Sequence, residues 1–172
     1  ALGGLTQGVS VLEMTGAYAC IANGGTYYEP SYYTVVYDHN GNVLLDKREK
    51  EGKRVLKETT SYLLTDMMED VITSGTGTAA QISGMNVAGK TGTTSDNVDL
   101  TFYGYTPYYT AGIWMGYDTS KEMKNVSGSA HLKIWKHVMS QTHADLPNKE
   151  FTRPDGIVTL SVCAASGGQP SS

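Results

Sequence analysis

Apolar residues recur at helical spacing in three stretches of the chain and alternate or cluster like strands between them. Over residues 10–22, Leu12, Met14, Ala17, Tyr18 and Ile21 form a stripe near the 3.6-residue period. Ser10 and Glu13 stand at the spacing of a capping box, in which the serine hydroxyl accepts from the third helical amide and the glutamate reaches back. Asn23-Gly24-Gly25 ends this helix, because glycine accepts the left-handed cap conformation. Residues 60–73 form the clearest helix. Leu63, Met67 and Val71 make one row, and Leu64, Met68 and Ile72 the next, which together predict one wide buried face. The methionines there read as core fillers. Ser74-Gly75-Thr76-Gly77-Thr78 follows as a flexible loop. A last helix is expected over 129–143, with Leu132, Trp135, Val138 and Met139 on one side.

Between the helices the pattern is strand-like. Residues 32–37 are β-branched and aromatic, and 43–45 follow after Asp38-His39-Asn40-Gly41-Asn42. Asn40-Gly41 is a hairpin signal in which both central residues take positive φ, which leaves His39 as a solvated loop residue. Residues 46–54 are charged and read as an exposed connection. Three further strands are predicted over 85–94, 99–105 and 110–117, with Pro107 at the turn between the last two. Connections this short make an antiparallel meander. The order helix, hairpin, helix, three strands, helix gives an α+β class, an antiparallel sheet packed by helices. After Ser161 the chain turns to Ser, Gly and Pro, so residues 1–160 read as one domain unit and 161–172 as a tail or linker.

With 172 residues the chain supports one core. Its net charge of -4 is spread along the sequence, which excludes the basic footprint of a nucleic-acid binder. No run of about 18 apolar residues predicts a membrane span, and no signal peptide is visible. The opening Ala1-Leu2-Gly3-Gly4, without an initiator Met, reads as the start of a piece of a longer protein, so any membrane attachment is expected outside it. Cys20 lies in a helical pattern as a small core residue; whether it pairs with Cys163 stays open. Twelve Tyr against two Phe suit half-buried strands, where the ring packs and the hydroxyl reaches water. His131, His137 and His143 are six residues apart, so they cannot share a helix face, and no metal or cofactor is expected.

The stretch that carries chemistry is Val87-Ala88-Gly89-Lys90-Thr91-Gly92-Thr93-Thr94. A strand margin offers amides and carbonyls to an extended peptide. Gly89 and Gly92 remove side chains where a ligand must approach the backbone. Lys90 supplies a fixed positive charge, and Thr91 and Thr93 supply hydroxyls that can grip a carboxylate. The Thr93 amide can point at a developing oxyanion. The candidate catalytic residues are therefore Lys90 and Thr93, and the candidate substrate-binding residues are Thr91, Gly92, Thr93 and Thr94. Such a strand suits a peptide ending in a free carboxylate. Alone, the Lys-Thr-Gly triplet is a weak signal and reads more readily as a plain β-strand with a surface Lys and two strand-favouring threonines; its surroundings reverse that balance.

Several ordered segments share those surroundings. They are Ala1 to Gly4 through Gly8-Val9-Ser10-Val11-Leu12-Glu13-Met14, Ala17-Tyr18-Ala19, Ala22-Asn23-Gly24-Gly25, Gly75-Thr76-Gly77-Thr78-Ala79-Ala80, Ala88 to Thr94, Gly104-Tyr105-Thr106-Pro107 and Trp114-Met115-Gly116-Tyr117-Asp118. In this order, over about residues 1–160, the sequence resembles the C-terminal half of the transpeptidase domain of class A, bifunctional penicillin-binding proteins, and so an incomplete penicillin-binding/β-lactamase-like fold. That family carries Ser-x-x-Lys, then a Ser-Asn motif, then Lys-Thr-Gly. No serine here has Lys three residues on, so the nucleophile is expected outside this chain. Ser95-Asp96-Asn97 spells the second motif but follows Lys-Thr-Gly, and reads as a loop coincidence. Two departures stand out: Val11 where the family commonly has Pro, and Thr101 where it often has Trp.

The resemblance implies a serine acyl-enzyme. A stem peptide ending in D-Ala-D-Ala lies along 87–94, and a neighbouring stem's amine takes the acyl group. β-Lactams acylate the same serine. Lys90 stabilises charge and bonds the second-motif serine, while Thr91 and Thr93 hold the carboxylate. The partners implied are peptidoglycan, β-lactams and the N-terminal half of the domain, on the extracytoplasmic face of the membrane; the piece alone is expected to be inactive. A β-lactamase-type hydrolase and a non-catalytic peptide or β-lactam sensor remain as alternatives.

Overall fold

In the computed structural model, residues 8–169 are described; the Ala1-Leu2-Gly3-Gly4 segment and the last three residues of the expected tail lie outside the described residues. In chain order the elements are α1 (Val11–Ala22), β1 (Thr26–Tyr27), β2 (Val35–Tyr37), β3 (Val43–Asp46), β4 (Lys53–Arg54), α2 (Glu58–Thr73), a 3-10 turn (Thr78–Ala80), β5 (Ala88–Thr93), a short turn (Ser95–Asn97), β6 (Asp99–Tyr105), β7 (Thr110–Gly116) and α3 (Ala130–Thr142). β5, β6 and β7 form an antiparallel meander in that order, with β6 central. β2 and β3 form a separate hairpin, and β1 pairs with β4. The α+β class and the three-stranded antiparallel sheet are as the sequence predicts.

The sheet is packed on both faces. On one, Phe102 meets Trp135 of α3 edge-on, with ring centroids 5.0 Å apart, in a cluster with Ile72, Leu132 and Met139. The Trp135 indole donates to the Ala111 carbonyl at 2.9 Å, which fixes α3 against β7. On the other face, Ala88 and Tyr105 pack with Met68, and Tyr18, Ile21 and Ala22 of α1 close over them. α2 contributes Ile72 to the first cluster and Met68 to the second, so it stands beside β5.

The start of α1 follows the sequence closely: the Ser10 hydroxyl accepts from the Glu13 amide at 3.2 Å, and the Ser10 amide donates to the Glu13 carboxylate at 2.8 Å. Its buried side differs from the predicted stripe. Gly16 and Cys20 are buried and Leu12 is exposed, because Gly16 brings the helix against Tyr27 and Pro30. In α2 only one of the two predicted rows faces inward. Leu64 is half-buried and Met68 and Ile72 are buried, while Leu63 and Met67 are exposed. The other buried positions are the polar Ser61 and Thr65, drawn in because Thr65 bonds Tyr105 of the sheet. In α3, Val138 is exposed and His131 is buried instead.

The hairpin turn also departs from expectation. Only Gly41 has positive φ, at 85°. The Asp38 carboxylate accepts from the amides of Asn40 and Asn42, so a side chain organises the loop where paired left-handed residues were expected. The expected connection 46–54 contains β4, a strand too short for periodicity to detect. Cys20 is buried and Cys163 exposed, and both are free thiols. Among the described residues no cluster of His, Cys, Asp and Glu could hold a metal, and no helix is long and apolar enough to cross a membrane.

Candidate functional site

β5 carries the Lys-Thr-Gly-Thr run from a buried beginning to an open end. Ala88 and Gly89 are buried, Thr91 and Gly92 half-buried, and Lys90, Thr93 and Thr94 exposed. The strand pairs with β6 on one side, and no strand among the described residues pairs with its other side.

The direction of its peptide groups follows from the ladder. The Thr94 amide donates to the Asp99 carbonyl at 3.1 Å, and the Thr101 hydroxyl donates to the Gly92 carbonyl at 3.3 Å. Thr94, Gly92, Lys90 and Ala88 therefore face β6, since antiparallel pairs alternate between bonded and non-bonded positions. Gly89, Thr91 and Thr93 between them aim their amides and carbonyls at the unpaired side. One of these carbonyls already has a local partner: Lys90 Nζ donates to Thr91 O at 3.0 Å.

The glycines permit this close pairing. A Cβ on Gly89 would lie 2.6 Å from Phe102 Cζ and 2.9 Å from the Tyr103 carbonyl oxygen. A Cβ on Gly92 would run into the Thr101 hydroxyl. Thr101, one of the two departures from the pattern the sequence resembles, sits opposite Gly92 with Trp114 of β7 on its other side.

The threonines divide between two tasks. The Thr91 hydroxyl lies 2.7 Å from that of Thr76, in the glycine-rich loop after α2. The Thr94 hydroxyl accepts from the Asp99 amide at 2.8 Å and donates to the Asp99 carboxylate at 3.3 Å, so it is occupied inside the hairpin. Asp99 in turn accepts from the Trp114 indole at 2.9 Å. Asp96 and Asn97 take positive φ, at 60° and 50°, and turn β5 into β6; a tight-turn role for Ser95-Asp96-Asn97 agrees with the reading of that triplet as a loop.

Sequence reasoning placed Thr76 in a resembling segment and missed its bond to Thr91; spacing holds no signal for it, since the two are 15 residues apart. A cleft of about 350 Å³ lies by Ile21, Ser61, Tyr62, Pro107 and Phe151, and no residue of 88–94 lines it. The charge and hydroxyls of the candidate site thus stand on an open strand margin, a geometry that can receive an extended chain with a terminal carboxylate.

The sequence model of the penicillin-binding protein transpeptidase domain matches residues 1–140. Penicillin-binding protein 1A of Clostridium perfringens is 38% identical over 166 residues, 96% of this chain and 20% of the relative. Penicillin-binding protein 1F of Bacillus subtilis is 38% identical over 168 residues, 93% of this chain and 23% of the relative. This chain thus spans about a fifth of the length of the curated relatives it matches. Among solved structures, the penicillin-binding protein PonA1 from Mycobacterium tuberculosis superposes with a TM-score of 0.75 at 27% identity, covering 94% of this chain and 44% of that one. Penicillin-binding protein 1A from Haemophilus influenzae shares the fold, with a TM-score of 0.78 at 19% identity over 92% of this chain and 30% of that one.

Proposed function

Because the chain belongs to the penicillin-binding protein transpeptidase family, we propose that it supplies the substrate-binding strand of a peptidoglycan D,D-transpeptidase that works through a serine ester on the extracytoplasmic face of the membrane. The single observation that carries this reading is the open margin at Lys90–Thr93, with Gly89, Thr91 and Thr93 aiming their peptide groups outward.

A stem peptide ending in D-Ala-D-Ala adds to that margin as a further strand. Its carboxylate accepts from the hydroxyls of Thr91 and Thr93, and the Lys90 ammonium adds charge-assisted attraction. The outward amide of Thr93 donates to the oxygen that becomes negative when a serine attacks the penultimate carbonyl. The acyl group then passes from the serine ester to the amine of a neighbouring stem, with release of D-Ala in the first step. β-Lactams, which carry a carboxylate beside a strained amide, take the same place. Gly92 leaves room for the Thr101 hydroxyl in the β5–β6 pair, and Thr94 acts by holding the hairpin through Asp99. The serine and its lysine belong to the rest of the domain, because no serine of this chain has Lys three residues on.

The test is labelled penicillin on the full-length protein. A stable covalent adduct together with cross-linked product supports the proposal. Rapid turnover of the β-lactam points to a hydrolase, an adduct without cross-linking to a sensor, and no adduct removes the reading.

A further inference from the structure

We infer that Thr76 is a positioning residue for the candidate site: its hydroxyl donates to Thr91 Oγ1 and turns the Thr91 proton toward the substrate carboxylate. This rests on the proposed transpeptidase reading and adds a residue from a different element to it.

The local structure that places Thr76 is specific. α2 ends with the Ser74 amide on the Asp70 carbonyl, at 3.0 Å. The chain then folds back on the helix, and the Gly77 amide donates to the Val71 carbonyl at 2.9 Å. Gly75 is needed for that approach, because a Cβ there meets backbone, and Gly77 eases it. A Cβ on Gly75 would lie 2.8 Å from Val71 Cα, and one on Gly77 would lie 2.8 Å from Ile72 Cδ1. Thr76 between them is exposed, and its hydroxyl is held 2.7 Å from Thr91 Oγ1. It is the one side-chain hydrogen bond from this loop to β5 among the described residues.

A hydroxyl has one proton to donate and two lone pairs to accept with. If Thr91 spent its proton on Thr76, it would have only lone pairs to offer a carboxylate, and the contact would be repulsive. With Thr76 as donor, Thr91 keeps its proton for the substrate. Bonding Thr76 also polarises the Thr91 hydroxyl, which strengthens its own donation. The two protons therefore align in one chain, Thr76 to Thr91 to carboxylate.

The experiment uses the full-length protein with Thr76→Val, Thr76→Ser, Thr91→Val and the Thr76→Val/Thr91→Val pair. Each is reacted with a penicillin as free acid and as its methyl ester. The expected result is a threefold to tenfold slower second-order acylation of Thr76→Val by the free acid, the size of one neutral hydrogen bond. The loss falls on binding more than on the acylation step. Thr76→Ser recovers the rate, the ester is unaffected, and Thr76→Val costs nothing further in the Thr91→Val background. Equal losses on acid and ester, or an unchanged rate on the acid, would overturn the inference while leaving the transpeptidase reading intact. Failure of the wild-type protein to acylate at all is the separate outcome that removes the reading beneath it.

Discussion

Tyr105 Oη lies 2.8 Å from Thr65 Oγ1, in the core between β6 and α2. Thr65 spends its own proton on the Ser61 carbonyl at 2.9 Å, so in this pair the tyrosine donates and the threonine accepts. Both residues are buried, Tyr105 at 0% exposure and Thr65 at 4%. Burial pushes the Tyr105 hydroxyl well above its usual pKa, and it stays protonated and able to donate.

That direction makes the two deletions unequal. Tyr105→Phe removes a donor and leaves Thr65 still bonded to Ser61, at a cost of about 1 kcal/mol. Thr65→Val strands a buried phenol proton and costs about 1–3 kcal/mol. Urea unfolding of both variants checks the order; equal losses would mean that the tyrosine has found another acceptor.

At Gly89 the neighbours are a ring and a backbone carbonyl, neither of which can move aside. Gly89→Ala should therefore destabilise by about 1–3 kcal/mol, as overpacked cores do. Gly128 has nothing within 4 Å of its added Cβ, and Gly128→Ala serves as the unaffected control. Gly92→Ala meets chiefly the Thr101 hydroxyl, so adding Thr101→Ala should restore most of the lost stability in the same urea assay.

His131 is 1% exposed, and neither ring nitrogen has a hydrogen-bond partner. Burial lowers its pKa from the ordinary 6.5. Between that value and the lower folded one, the unfolded chain binds a proton that the folded chain refuses, so stability falls as pH drops below about 6.5 and the loss levels off once the folded form protonates too. Glu69, raised by burial and then by Asp66 and Asp70, works in the opposite sense. Comparing wild type with His131→Phe at pH 7.5 and 5.5 cancels the Glu69 contribution. The variant should show the smaller loss at the lower pH, and parallel losses would exclude His131 as the source.

For Lys90 the expected effect is on chemistry. In the full-length protein, Lys90→Ala should slow penicillin acylation by about a hundredfold, the range seen when a charge-stabilising donor is removed. The 172-residue chain alone should not label. An unchanged rate for Lys90→Ala, or labelling of the isolated chain, would each contradict the assigned roles.

Much of this arrangement is legible in the sequence, because it rests on local rules. Ser10 and Glu13 cap α1 through atoms three residues apart, and the 99–105 strand matches β6 residue for residue, since alternation and turn residues act over short distances. The Lys90–Thr93 run could be placed on a strand, and its resemblance read, for the same reason, although the strand spans Ala88–Thr93 and not the whole of the expected 85–94. Tertiary structure alone decided which of two equally apolar rows of α2 turns inward. Leu63 and Met67 satisfy the helical period as well as Met68 and Ile72 do, but it is Met68 and Ile72 that meet the two core clusters of the sheet, with Thr65 on the same side bonded to Tyr105. The bonds between Thr76 and Thr91, and between Thr106 and His143, likewise join residues far apart in the chain. Such pairings depend on where the loops close in space, and no periodicity along the chain encodes the distance between two hydroxyls on different elements.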